Sequence, residues 1–181
     1  MENQRVRISK KMLKDALLEL LQDKDIAHVS VTEICQHAQI NRTTFYKHYG
    51  SQYDLLDDAM DDFFRGLAED ISGNAEGGGN ALARALDHLN SQRDRARTHM
   101  TALPGDAFEK RLFAQPFIAS FRDDVLTRGL AGAQAHYAGL FFESGVYAIV
   151  REWIASDNPE PPAQIAQIIF TLRKKFEGVE P

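Results

Sequence analysis

Two helix starts stand so close together in this chain that the helix between them has no room to be long. In Val29-Ser30-Val31-Thr32-Glu33-Ile34 the Ser30 hydroxyl can accept from the Glu33 amide while the Glu33 carboxylate reaches back to the Ser30 amide, which is a capping box. Val29 before the cap and Ile34 after it are placed as a hydrophobic staple, so a second helix is predicted from here to about His37. After only Ala38, Gln39 and Ile40 the pattern repeats, with Asn41 as N-cap and Ile40 and Phe45 as its staple, and a third helix is predicted over 42–48. Ahead of both, the doublets Met12-Leu13, Ala16-Leu17 and Leu20-Leu21 fall four apart within 8–21, the apolar stripe of a first helix. Three short helices with a tight turn between the last two have helix-turn-helix geometry.

The rest of the chain is read as helices too. Ser51 caps a long fourth helix through Leu55, Leu56, Ala59, Phe63 and Leu67 to about Ser72, with Asp54, Asp57 and Asp58 in its first turns, where acids suit the helix dipole. Four glycines within 73–79 predict a loop. Further helices are predicted at 80–91, 107–118, 120–127, 133–154 and 162–176, with Pro159, Pro161 and Pro162 turning the chain between the last two. Strand signals are nearly absent. The expected fold is all-α, with a helix-turn-helix domain at 1–50 and a helical-bundle domain at 51–181.

Charge is uneven. The chain holds 21 Lys and Arg against 26 Asp and Glu, a net charge of −5, yet residues 1–53 hold eight basic against six acidic side chains, so the acid excess lies wholly in the remainder. Phosphate attraction acts locally and salt screens charges beyond about 8–10 Å, so such a balance permits a nucleic-acid-binding head. No apolar run approaches the roughly 20 residues of a membrane span, and the N-terminal residues lack the apolar stretch of a signal peptide, which makes the cytoplasm the expected compartment. The single cysteine, Cys35, leaves a Cys-rich zinc site without ligands and is expected to be a small buried apolar residue. There is no Ser/His/acid motif, phosphate-cradling glycine loop or metal-ligand spacing, so neither catalysis nor a metal or cofactor is expected.

On the third helix Phe45 and Tyr49, four apart, are expected to face inward, leaving Arg42, Thr43, Tyr46 and Lys47 outside. A solvated surface would account for that face. So would DNA: Arg pairs with guanine O6 and N7, Thr offers a methyl or hydroxyl, and Tyr and Lys hold phosphates. Together, Val31-Thr32-Glu33-Ile34-Cys35, the run Thr43-Thr44-Phe45-Tyr46-Lys47-His48-Tyr49 and Tyr53-Asp54-Leu55-Leu56 resemble the TetR family of bacterial regulators. The likeness covers about the first third of the chain. It implies that Arg42, Thr43 and Thr44 read base edges, that Tyr46 and His48 hold phosphates, that Thr32 reaches the groove or backbone, and that Lys47 touches base or phosphate. For His48 a core-facing role stays open.

Three positions depart from the family pattern. Gln39 and Asp25 stand where turn glycines are usual, and Gln52 stands where a phosphate-binding lysine is usual. A non-glycine in the left-handed region costs about 1 kcal/mol or more, so the turn at Gln39 is expected either to take another shape or to carry mild strain, and Asp tolerates that region better than most.

Toward the C-terminus, the stretch Phe141–Ile154 resembles the penultimate helix of TetR-like proteins of the Firmicutes type. In the family the last two helices of each protomer form a four-helix dimer interface, so the resemblance implies a homodimer joined through Leu140, Val146, Val150, Trp153, Ile165, Ile168, Ile169, Leu172 and Phe176. Read alone, those stripes fit a core equally well. Of the aromatics Phe108, Phe113, Phe117, Phe121, Tyr137, Phe141 and Phe142, most are expected in the core, with His136 and Tyr137 a possible polar handle inside the bundle. The expected partner is double-stranded DNA with a palindromic operator. Two modes of control remain: a small-molecule effector that relieves repression, or a protein partner acting on a regulator or coactivator that has no pocket.

Overall fold

The computed structural model describes residues 3–72, 81–103, 105–116, 118 and 131–177; within the last span the side chains of 176 and 177 are not described. The predicted loop at 73–79, the predicted helix at 120–127, and Phe117 and Phe121 lie outside these residues. Among the described residues every regular element is helical. α1 spans Gln4–Leu20, and a single 3-10 turn, Ile26–His28, leads to α2, Val31–His37. α3 is Arg42–Tyr46 and α4 is Gln52–Ser72. The body continues with α5 (Ala81–Ser91), α6 (Arg93–Ala102), α7 (Ala107–Phe113), α8 (Gly132–Ala155) and α9 (Pro162–Glu177).

The caps that set the short helices in sequence are present as bonds. The Glu33 amide donates to Ser30 Oγ at 3.2 Å, and the Glu33 carboxylate accepts from the Ser30 amide at 2.9 Å. Asn41 Oδ1 accepts from the Thr44 amide at 2.8 Å. At the start of α4, Ser51 Oγ accepts from the Asp54 amide at 3.3 Å while the Asp54 carboxylate takes the Gly50 amide at 2.8 Å. Apart from the Gly50 amide, which precedes the cap, each bond engages an amide of the cap or first turn, where the helix itself offers no i−4 carbonyl.

α2 ends in a Schellman turn: Ile40 N–H donates to the Cys35 carbonyl at 2.9 Å and Gln39 N–H to the Gln36 carbonyl at 3.2 Å. This closure puts Gln39 in the left-handed region, at φ 54°, where its Cβ is strained. Gln39→Gly is therefore expected to stabilise the protein by about 1 kcal/mol, read as a higher urea midpoint at unchanged slope. Asp25 behaves otherwise. Its φ of −67° and ψ of 148° are ordinary extended values, so the absence of glycine there carries no strain.

One continuous core runs through the molecule from Leu13 and Leu17 of α1, through Phe45 and the Leu55, Leu56 and Met60 stripe of α4, to Trp153, Ile154, Ile165 and Ile169. α4 is the shared wall, packing on α1 in the head and on α5 in the body. Cys35 is buried in the head core. α9 lies chiefly on α5, and α6 lies on α8.

α6 has no counterpart among the helices predicted from sequence, because it carries Arg93, Arg95 and Arg97 and little apolar surface. Its arginines are structural. Arg93 donates to the carbonyls of Trp153 and Ser156, and Arg97 to those of Ile154 and Ala155, at 3.1 Å for each of the latter two. These carbonyls lie at the C-terminal end of α8 and its cap, where helical amides run out, and cations suit that end of the dipole.

Candidate nucleic-acid interface

The head presents α3 on a rigid mount. Phe45 is fully buried, and the Tyr49 ring packs 5.7 Å from it. The Tyr49 hydroxyl donates to Asp58 at 2.6 Å, fastening the end of α3 to α4. α2 is fastened in turn: His37 meets Glu19 of α1 at 2.5 Å, and Lys24 reaches Glu33 at 2.6 Å. The Lys24 bond, then the Ser30 backbone and hydroxyl bonds, hold the Glu33 carboxyl down at about 2, so the cap stays ionised throughout the physiological range.

On this mount Arg42, Thr43, Tyr46 and Lys47 are exposed and Thr44 is half-buried, while Phe45 points into the core. The Arg42 guanidinium lies 5.8 Å from the centre of the Tyr46 ring, one turn along, which favours a fixed side chain over a mobile one. Thr32 is exposed at the second position of α2. His48 is half-buried, with its ring 6.4 Å from Tyr49. Gln52 opens α4 as a half-buried neutral side chain, so no cation stands at that position, whereas its neighbour Tyr53 is exposed. Tyr53 was absent from the sequence-derived site; its signal is a large aromatic in the exposed first turn of α4. An exposed cation, hydroxyl and aromatic set at the start of a helix matches what a major groove about 12 Å wide admits and reads.

The C-terminal stripes divide differently from the sequence expectation. Val150, Trp153, Ile165 and Ile169 are buried within the protomer, and Val146 is half-buried. Trp153 is held there by its Nε1–H bond to the Glu160 carbonyl at 2.8 Å and by Arg93, 5.1 Å from its ring centre. The exposed apolar residues are instead Leu140 at 53 %, Ile168 at 39 % and Leu172 at 42 %, joined by Tyr137 at 67 % and Phe141 at 59 %. Tyr137 and Phe141 are two of the seven aromatics of which most were expected in the core. They lie one turn apart on the outer side of α8, and His136 is exposed beside them, so no polar handle forms inside the bundle. The side chain of Phe176 is not described.

Inside the body, α4, α5, α7 and α8 enclose a cavity of about 110 Å³. Leu67, Leu86, Phe108, Val146 and Tyr147 are among its walls, and the lining is almost wholly apolar. Among the described residues no group of His, Cys, Asp and Glu is placed to hold a metal, and no helix is long and apolar enough to cross a membrane.

The exposed α3, mounted by its buried side chains after a capped tight turn, has helix-turn-helix geometry. Residues 13–59, about a quarter of the chain, match the family model for bacterial regulatory proteins, tetR family. The chain is 26% identical over 185 residues to the uncharacterized HTH-type transcriptional regulator YxbF of Bacillus subtilis (strain 168), a match covering 91% of this chain. The chain spans about half the length of that relative, 45%. A TetR transcriptional regulator from Streptococcus agalactiae 2603V shares the fold at TM-score 0.72 and 19% identity, over 94% of this chain and 96% of the other. The dihydroxyacetone kinase operon activator DhaS aligns at TM-score 0.58 and 21% identity, over 92% and 97%.

The roles of individual α3 side chains make a division of labour testable. Arg42→Ala is expected to weaken operator binding by about 1–3 kcal/mol and to relax the preference at one base position. Lys47→Ala is expected to weaken all sequences alike and to flatten the salt dependence by about one counterion per half-site. Binding to an operator library at two salt concentrations separates them, and equal, small losses for both would defeat the assignment.

Proposed function

We propose that the protein acts in the cytoplasm as a homodimeric repressor of a palindromic operator, relieved when a small apolar molecule occupies the body cavity. In this reading Arg42, Thr43 and Thr44 read bases while Thr32, Tyr46, Lys47 and His48 position the backbone. The dimer forms through the outer faces of α8 and α9, with Phe141, Leu140, Ile168 and Leu172 at its centre and Trp153 and Ile169 behind them as support. Two-fold symmetry and DNA readout then support each other, because paired half-sites about one DNA turn apart require two heads.

The observation that carries the effector reading is the continuity of α4. Its first turns hold α3 through the Tyr49–Asp58 bond, and Phe63, Leu67 and Ile71 further along line the cavity. A ligand that moves this wall tilts the helix on which the recognition face is mounted. An occupant that prefers the tilted form weakens DNA binding by the same factor by which DNA weakens the occupant. The volume is a little below the roughly 150 Å³ of apolar cavities that take benzene, so the effector class is a small hydrocarbon-like molecule admitted with slight expansion.

Benzene and indole are the probes. The wild type is expected to gain thermal stability with them and to lose operator affinity about 5- to 150-fold, the usual span of allosteric coupling. Val146→Phe, which fills the cavity, is expected to remove both responses while still binding DNA. Unchanged responses in that variant, or none in the wild type, would reject the effector reading and favour control by a protein partner.

A further inference from the structure

Phe63 separates two spaces. One is the apolar cavity; the other is an open, polar cleft of about 600 Å³ between α1 of the head and α4, α5 and α6 of the body. Six lysine and arginine side chains and three aspartates line the cleft. Each aspartate is already engaged. Asp15 meets Lys11 at 2.6 Å and Arg95 at 3.3 Å, Asp58 meets Lys14 at 3.2 Å and accepts from Tyr49, and Asp62 meets Lys14 and, at 3.1 Å, Arg65. With six cations against three aspartates, the lining as a whole carries a net positive charge.

The floor of the cleft adds one buried polar atom with no hydrogen-bond partner among the described residues. His99 is 2 % exposed, its ring lies 4.5 Å from that of Phe63, and its Nδ1 has no hydrogen-bond partner among the described residues. Burial, with Arg95 nearby, lowers its pKa to about 4, so the ring is neutral at physiological pH and carries one donor N–H and one acceptor. A buried polar atom left without a partner costs about 1–3 kcal/mol, a penalty that a bound molecule or water removes. His88 beside it is oriented by its 2.5 Å contact with Asp70.

We infer that this cleft is a second ligand site, taking a small organic polyanion whose phosphate or carboxylate groups meet Arg7, Lys10 and Arg95 and whose inner end reaches His99. Its volume lies within the roughly 300–1,000 Å³ of small-molecule sites. The cations come from two bodies: Arg7 and Lys10 ride on α1 of the head, and Arg95 rides on α6. A bound polyanion thus ties head to body at the joint already bridged by the Asp15–Arg95 pair. The site does not depend on the apolar cavity having an effector, and its binding is measurable without DNA.

The test is isothermal titration of the full chain with pyrophosphate and, separately, with citrate, at constant ionic strength. Saturable binding of one anion per protomer is expected, and the stronger of the two distinguishes a phosphate from a carboxylate ligand. The double variant Arg7→Gln with Arg95→Gln is expected to lose at least tenfold in affinity while keeping its thermal midpoint within a few degrees. Val146→Phe, in the other cavity, is expected to bind as the wild type does. His99→Gln adds a reading at the floor, and the exposed arginine variants keep the test decisive should that buried substitution fail to fold. Absence of saturable binding by either anion, or equal affinity in the arginine double variant, overturns the site.

Discussion

Phe45→Ala is expected to remove about 3–5 kcal/mol of stability, because the ring is fully buried and its loss leaves a cavity in the head core that so short a helix cannot close. A domain of this size holds only about 5–15 kcal/mol in total, so one substitution spends a large share of it. The effect on DNA follows from the packing. Phe45 contacts both Tyr46 and Tyr49, with ring centres at 5.5 Å and 5.7 Å, and Tyr49 carries the bond to Asp58. Without the ring, the recognition face loses its mount even in molecules that remain folded. Urea unfolding followed by circular dichroism checks the stability loss. Operator binding at low temperature, where the variant is still folded, checks the mount; Phe45→Leu is expected to recover most of both.

The second large effect concerns assembly. Ile168→Glu with Leu172→Glu places two carboxylates on the exposed face of α9, where the side chains are 39 % and 42 % exposed in the protomer. The fold is expected to survive, since neither residue belongs to the buried core. The dimer is not, because desolvating unpaired carboxylates at a two-fold interface is costly on both sides at once. Losing the second head turns a two-site attachment into a one-site attachment, and operator affinity is expected to fall at least 100-fold, within the range that linked binding contributes. Sedimentation velocity reads the mass and a mobility shift reads the affinity. A variant that stays dimeric would move the interface elsewhere on the surface.

Sequence patterns disclosed the head far better than the body, for physical reasons. Ser30, Glu33 and Asn41 act within three or four residues of themselves, so their capping roles are written locally and reappear as bonds. At Gln39 the sequence left two outcomes, another turn shape or mild strain, and the Schellman closure takes the second, with φ at 54°. Asp25 was not legible, because an extended linker satisfies the same connection without that conformation. α6 escaped notice since its helix-forming logic is tertiary: Arg93 and Arg97 are there to cap α8, some sixty residues away. The face of α8 was also misjudged in part. A helical apolar period fixes which residues share a stripe, but α8 has two stripes. Trp153 and Val150 belong to the inner one, and Tyr137 and Phe141 to the outer. The packing of the helices around α8 decides between them. The cleft beneath α1 left no linear trace, as its residues come from four helices.

The central claim is that the side chains of α3 occupy DNA grooves twice per particle. Selection of bound duplexes from a random pool tests it in one measurement. The account predicts an enriched inverted repeat whose half-site centres lie about one helical turn, or a whole number of turns, apart, with the enrichment gone when Arg42 is alanine. A pool that emerges without any repeat, or with the same repeat from the Arg42→Ala variant, would contradict it.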